Sequence, residues 1–162
     1  MRATTELSSR VRRGSMADMP PIVSLLRSAG LPTEDLSSIP ALRTWVLESG
    51  SSLWGVIALE PFGAEGLLRS LAVVPEHRSR GLGRKLVAEL ERDAAMEGVR
   101  TLILLTQTAG DFFRRLGYQN IERAHVGDAM KQSAEFQSLC PASSTCMAKK
   151  LVGVSDPAGA YG

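Results

Sequence analysis

Apolar positions change period several times along the chain, and each change marks an element. Ile22, Leu25, Leu26 and Ala29 follow helical spacing behind Asp18 as N-cap, with Pro20 and Pro21 in the first turn, and Gly30 and Pro32 stop the run. Leu82, Leu86, Leu90 and Ala94 recur every fourth residue with charged residues elsewhere on the wheel, which predicts a second helix closed by Gly98. The remaining apolar runs are strand-like. Runs 44–47 and 53–60 flank Ser49-Gly50-Ser51-Ser52 and read as a hairpin with a loop of about four residues. Run 67–74 suits a buried strand ended by Pro75, and 100–106 another, reached from it through the second helix; that order implies a parallel crossover.

Weaker patterns fill in the rest. Residues 10–13 are expected to form a first strand, 33–40 a loop or short helix rather than a core element, and 109–116 a short helix stopped by Gly117. A strand over 118–123, a polar helix over 128–139 with Met130, Ala134 and Phe136 inward, and a closing strand over 146–152 complete the reading. The predicted fold class is α/β: one domain over 10–152 with a mixed, mostly antiparallel twisted sheet, a parallel crossover and flanking helices, between loose ends at 1–9 and 153–162.

Composition narrows the function more than the fold. The 162 residues suit one domain, and a net charge of +2 is too small for a chain-wide nucleic-acid or anionic-membrane surface. The apolar stretch over 54–59 falls well short of the roughly 20 residues needed to span a bilayer. Arg2, Arg10, Arg12 and Arg13 are not followed by a signal-like apolar stretch, so a soluble, cytoplasmic protein is expected, without membrane or nucleic-acid partner. Cys140 and Cys146 make no disulfide framework and read as ordinary thiols, His125 lacks a metal-ligand partner, and no metal is expected. Trp45 and Trp54 are expected to brace the hairpin.

The chemistry concentrates between the strand ending at Val74 and the helix opening at Leu82. Gly81 and Gly83 remove side chains where the chain enters the helix, so backbone N–H groups can converge on an anion beside the positive helix end. Arg69, Arg78, Arg80, Arg84 and Lys85 against Glu76 alone give residues 69–85 a local charge of +4. A phosphate ligand follows. A dinucleotide fingerprint fails because its third glycine is Leu86, and a Walker loop fails because no hydroxyl follows Lys85. His77, beside this loop, reads as a surface residue rather than a base.

Arg78-x-x-Gly81-x-Gly83, directly after a strand ending Val73-x-Pro75, resembles the acetyl-CoA motif of the GNAT N-acetyltransferases. Ala109-x-x-Phe112-Phe113-x-x-x-Gly117-Tyr118 is similar to that family's second signature, and the likeness extends over about residues 10–151. The resemblance implies a V-shaped cleft with acetyl-CoA as co-substrate. The pantetheine arm would lie along Leu71, Ala72 and Val73 beside a bulge, and Ser79, Arg80, Gly81, Leu82, Gly83 and Arg84 would offer N–H groups to the pyrophosphate. Arg78, Arg80 or Arg84 would stand near the phosphates and Phe113 near the coenzyme. The Ala72 or Val73 N–H would polarise the thioester, with Ser70 holding a water or the coenzyme, or serving as a satisfied core hydroxyl.

Two positions depart from the family pattern. Phe113 replaces the tyrosine that would protonate the leaving thiolate, and Leu68-Arg69-Ser70 replaces a glutamate base, so acid and base are unassigned. Thr106 stands where an asparagine is common, and is expected near the acceptor. Simple alternation puts Arg69 on one face with Leu67, Leu71 and Val73, where it would either clamp an acceptor carboxylate or oxyanion or pair with Glu60, Glu65 or another protein carboxylate. Residues 67–73, 112–118 and 135–143 also resemble an arsenic-resistance-associated branch of the family. That likeness implies a small, anionic, amino-acid-like amine acceptor, including an organoarsenical. Acetylation of a protein N-terminus or lysine, and a catalytically silent coenzyme-binding sensor, are the competing readings; pairing of sheet edges into a homodimer is expected from the fold resemblance.

Overall fold

The computed structural model describes residues 8–152, so apart from Ser8 and Ser9 the ends expected to be loose lie outside the described residues. One sheet carries seven strands in the order β1-β2-β3-β4-β5-β7-β6. These are β1 (Arg10–Arg13), β2 (Arg43–Ser49), β3 (Ser52–Phe62), β4 (Glu65–Val73), β5 (Thr101–Thr106), β6 (Gln119–Asn120) and β7 (Thr145–Lys150). Each neighbouring pair is antiparallel except β4 and β5, which run parallel because α2 (Leu82–Met96) crosses between them.

Both faces of the central strands are covered, which is why β2 and β3 read as nearly continuous apolar runs. Leu86, Val87, Leu90 and Ala94 of α2 pack with Trp45, Leu47, Ile57 and Leu59 on one face. Ile22, Leu25 and Leu26 of α1 (Met19–Ser28) pack with Val46, Val56 and Ala72 on the other. A third cluster joins Leu67, Ile103 and Cys146 to Val126 and Met130. Trp45 is wholly buried and its indole N–H donates to Asp93 at 2.7 Å.

Several predicted elements are corrected. The hairpin loop is two residues long, because Ser49 already pairs with Ser52 and Gly50 supplies the positive φ of the turn. The strand over 118–123 shrinks to β6, since Tyr118 turns into the core at 2% exposure. Residues 33–40 do enter the core, through Leu36 in a short 3₁₀ turn. The helix expected over 128–139 breaks into α4 (Asp128–Lys131) and a π-helical turn, Glu135–Leu139. The break turns Glu135 inward, toward a buried guanidinium.

One irregularity positions the site. Arg69 pairs with Ala58 and Ala72 with Val56, so Ser70 and Leu71 of β4 stand opposite Ile57 alone: a β-bulge, with Ser70 at φ 61°. The extra residue resets the alternation. Leu71 and Val73 therefore join Leu68 on the α2 face and Ala72 points to α1, while Arg69 lies on the face opposite Leu68. Arg69 does not share a face with Leu71 and Val73, as simple alternation had it.

Candidate active site

The sheet opens at the bulge. Hydrogen-bonded pairing of β4 with β5 covers only Glu65, Gly66 and Leu67 against Thr101, Leu102 and Ile103, after which the strands part. A cavity of about 430 Å3 fills the gap. Its walls are the parted strands, including Ser70, Leu71 and Thr106, together with the start of α3 (Gly110–Arg115), the loop after α1, and the π-helical turn with the segment that follows it.

At the far end of β4 the chain enters the basic loop. Ser79 at φ 68° and Gly81 at φ 76° alternate with right-handed or extended neighbours, which gives the loop the concave run of N–H groups that holds anions. Gly81 is the N-cap of α2, so the first-turn amides of Leu82, Gly83 and Arg84 have no acceptor within the helix. A Cβ at Gly83 would meet the Phe112 ring at 3.4 Å, so its absence lets the ring seat against the helix start. No acid lies in that first turn, and Arg84 and Lys85 sit there against the dipole, an arrangement an anion would relieve. Arg78 ties the loop back to the strand by donating from Nε to the Val73 carbonyl at 2.9 Å. The Val73 carbonyl, on the strand segment expected to meet the pantetheine arm, is therefore already engaged.

At Arg69 the structure takes the second of the two readings, pairing with protein carboxylates. Its side chain is fully buried, and Asp35 accepts from both terminal nitrogens at 2.7 and 2.8 Å. Glu60 accepts from Nη1 at 3.2 Å, and Glu135 and Ser70 Oγ each lie 3.3 Å from Nε. The guanidinium has no face left for an acceptor anion. Glu60 was among its expected partners; Asp35 and Glu135 were not named, and neither residue had a sequence signal beyond a polar position in a loop and in a polar helix. Burial pushes the carboxyls of Glu60 and Glu135 up, against the opposing pull of Arg69.

Other expected residues are distributed as follows. Phe113 borders the cavity at 4% exposure and stacks edge-on to Phe112 and Tyr118. Tyr118 does not replace the missing acid: its hydroxyl donates to Glu91 at 2.8 Å, and burial followed by the Glu91 charge drives its pKa far up. Thr106 Oγ1 accepts the Ala109 N–H at 2.9 Å, so that oxygen caps the turn into α3. His77 is half-buried and stacks on Trp54 with ring centroids 3.6 Å apart, rather than lying free on the surface. Cys140 lines the cavity, and burial, then Glu135, pushes its thiol up to about 12. Cys146 lies apart in β7 among Leu67 and Ile103. Among the described residues no group of three or more His, Cys, Asp or Glu could hold a metal, and no helix is long and apolar enough to cross a membrane.

The bulge, the parted sheet and the amide-rich loop all lie on one continuous stretch, from β4 to the start of α2. Residues 40–120 match the model of the acetyltransferase (GNAT) domain, and the chain belongs to that family. An uncharacterized N-acetyltransferase of Chlorobaculum tepidum is 45% identical over 58 residues, 36% of this chain and 37% of the relative. An amino-acid acetyltransferase of Azotobacter vinelandii is 27% identical over 149 residues, 83% of this chain and 34% of the relative. The chain thus spans about a third of the length of these curated relatives. N-acetylglutamate synthase of Neisseria gonorrhoeae, solved with coenzyme A and N-acetyl-glutamate, shares the fold at TM-score 0.77 and 23% identity, over 91% of this chain and 36% of that one. A Mycobacterium tuberculosis protein solved in complex with CoA superposes at TM-score 0.74 with 25% identity, over 88% of this chain and 99% of that one.

Proposed function

We propose that this chain transfers the acetyl group of acetyl-CoA directly to the primary amine of a small, amino-acid-like acceptor. The observation that carries the reading is the parting of β4 from β5 at the Ser70 bulge, with the basic loop beyond one end and a chamber at the other. In this reading the pyrophosphate rests on the N–H groups of residues 79–84, near Arg78, Arg80 and Arg84, and the pantetheine arm follows Leu71, Ala72 and Val73. The Ala72 N–H, or that of Val73, faces the thioester oxygen as charge develops there, a role worth roughly 3–4 kcal/mol in comparable sites. Ser70 and Thr106 border the reacting end.

The acceptor class is argued from the chamber and from the relatives. The loop after α1 and the π-helical turn both line the cavity, and its volume of about 430 Å3 favours a compact acceptor over a peptide. Curated relatives named as amino-acid acetyltransferases support an amino-acid-like amine and lend no support to an organoarsenical. An anionic end held by Arg69 is withdrawn, because three carboxylates already surround that side chain. With Phe113 at the tyrosine position, the departing thiolate takes its proton from the nitrogen that has attacked as a neutral amine, or from water.

Release of free thiol from acetyl-CoA, followed over a panel of amines and amino acids while coenzyme A affinity is measured by calorimetry, tests the proposal. Turnover with a small α-amino compound is expected. Tight coenzyme binding with no thiol release for any amine would leave the sensor reading in its place, and turnover confined to peptides would favour the protein-acetylating one.

A further inference from the structure

Beside the chamber, three carboxylates surround a single guanidinium. Asp35, Glu60 and Glu135 surround Arg69, yet of these carboxylates only Glu135 lines the cavity. Its contact with Arg69 is the looser one, and the Cys140 thiol hydrogen-bonds to it. Asp35 occupies the terminal nitrogens of Arg69 in a bidentate pair at 2.7 and 2.8 Å, while Glu135 meets only Nε, at 3.3 Å through Oε2. A short walk along the chain, Ser144 lines the same cavity at 7% exposure, and its buried Oγ has no hydrogen-bond partner. Its backbone is fixed, since Arg123 Nη2 donates to the Pro141 and Ser144 carbonyls and the Ser144 N–H donates to Pro141. A buried hydroxyl without a protein partner is costly to keep, and in the wall of a cavity it is a donor within reach of a bound polar group.

Building on the acetyl-transfer reading, we infer that Glu135 binds the acceptor's ammonium and takes its proton before attack, while the Ser144 hydroxyl donates to an oxygen of the same acceptor. The groups facing Glu135 are Arg69 from β4, Glu60 from β3, Asp35 from the turn before Leu36, and the Cys140 thiol, with Arg123 acting on Cys140 from outside. Burial holds the Glu135 carboxyl above the ordinary range, which brings its proton affinity closer to that of an amine. The proton balance closes. One ammonium proton passes to Glu135 and on to water; the neutral nitrogen forms the C–N bond as the C–S bond breaks, and its second proton goes to the departing thiolate. The surplus of carboxylates selects a zwitterionic or cationic acceptor and rejects one with a second carboxylate.

The test is Glu135→Gln with coenzyme A bound, compared across acceptors whose amines differ in pKa. The variant should fold, bind coenzyme A within about twofold of the parent, and lose about a hundredfold or more in kcat/KM at neutral pH. In the parent, the acid limb of kcat/KM should be common to all acceptors; in the variant it should move up and follow each amine's own ionisation, a change that a merely structural residue would not produce. Ser144→Ala should hold or raise the melting temperature, since it removes an unpaired buried hydroxyl, while acceptor KM rises about tenfold and kcat stays near the parent's. An amino acid with a neutral amide side chain should exceed its acidic isostere in kcat/KM by about tenfold. An unchanged acid limb in Glu135→Gln, or preference for the dicarboxylic acceptor, overturns the assignment. If the parent releases no thiol with any amine, the transfer reading falls separately, and equilibrium binding of the amide amino acid to the coenzyme-loaded protein decides the ammonium site: Glu135→Gln must weaken it about tenfold or the site falls too.

Discussion

The loop proposed to hold the coenzyme and the chamber proposed for the acceptor are built on opposite plans. The loop is a continuous stretch, residues 78–84, in which main-chain conformation does the work: positive φ at Ser79 and Gly81, and free amides at the start of α2. The chamber gathers Asp35, Glu60, Arg69 and Glu135 from four separate segments, and side-chain charge does the work there. A region of the first kind tolerates changes of side chain but not of backbone geometry. A region of the second kind is the reverse: each member depends on the others, and no one of them is informative alone.

The sharpest way to break this contrast is Arg69→Met. Removing the guanidinium leaves its carboxylates buried without a counter-charge, and a loss of about 3–5 kcal/mol in denaturant unfolding is expected. A fully stable Met variant would show that the chamber is not held by charge. Gly81→Val comes next. A β-branched residue at φ 76° is strained by roughly 1–2 kcal/mol, so coenzyme A affinity should drop on the order of tenfold by calorimetry while the chamber residues are untouched. Ser79→Gly sharpens the same point from the other side: it keeps the φ 68° geometry at lower strain, and affinity should stay within about threefold.

Acid titration separates the chamber from the surface with opposite signs. Glu135 and Glu60 are pushed up by burial, so their contribution to stability is present at acid pH and fades as pH rises through their folded-state values. Glu60→Gln and Glu135→Gln should therefore flatten that part of the melting curve against pH. Asp18 behaves the other way. Its hydrogen bonds with Arg12 hold the carboxyl down to about 2, so its contribution is present above the ordinary carboxylate range and is lost as pH falls toward 2. Arg12→Gln should blunt this acid-side loss together with that of Glu48, which Arg12 also holds down, by the smallest margin of the set, because these pairs lie near the surface.

How much could be read in advance follows the same division. The Arg78-x-x-Gly81-x-Gly83 loop, the helix behind it and the parallel crossover are local patterns, and they lie where the spacing put them. The bulge beside Leu71 was implied by the family resemblance, but Arg69 was placed with Leu71 and Val73 by simple alternation, which one inserted residue at Ser70 inverts for every position downstream. Asp35 sat in a segment read as a mere loop, and Glu135 in a helix read as continuous until the π-helical turn broke it.

What the order of residues determined alone was the α/β class, the succession of elements and the place of the glycine-bearing turn before α2, because periodicity and glycine placement act over a few neighbouring positions. Only the tertiary structure decided that an arginine facing a substrate chamber is already spoken for, and which carboxylate is turned toward the cavity. Those outcomes depend on desolvation and charge pairing between segments up to a hundred positions apart on the chain, and such forces have no period to read.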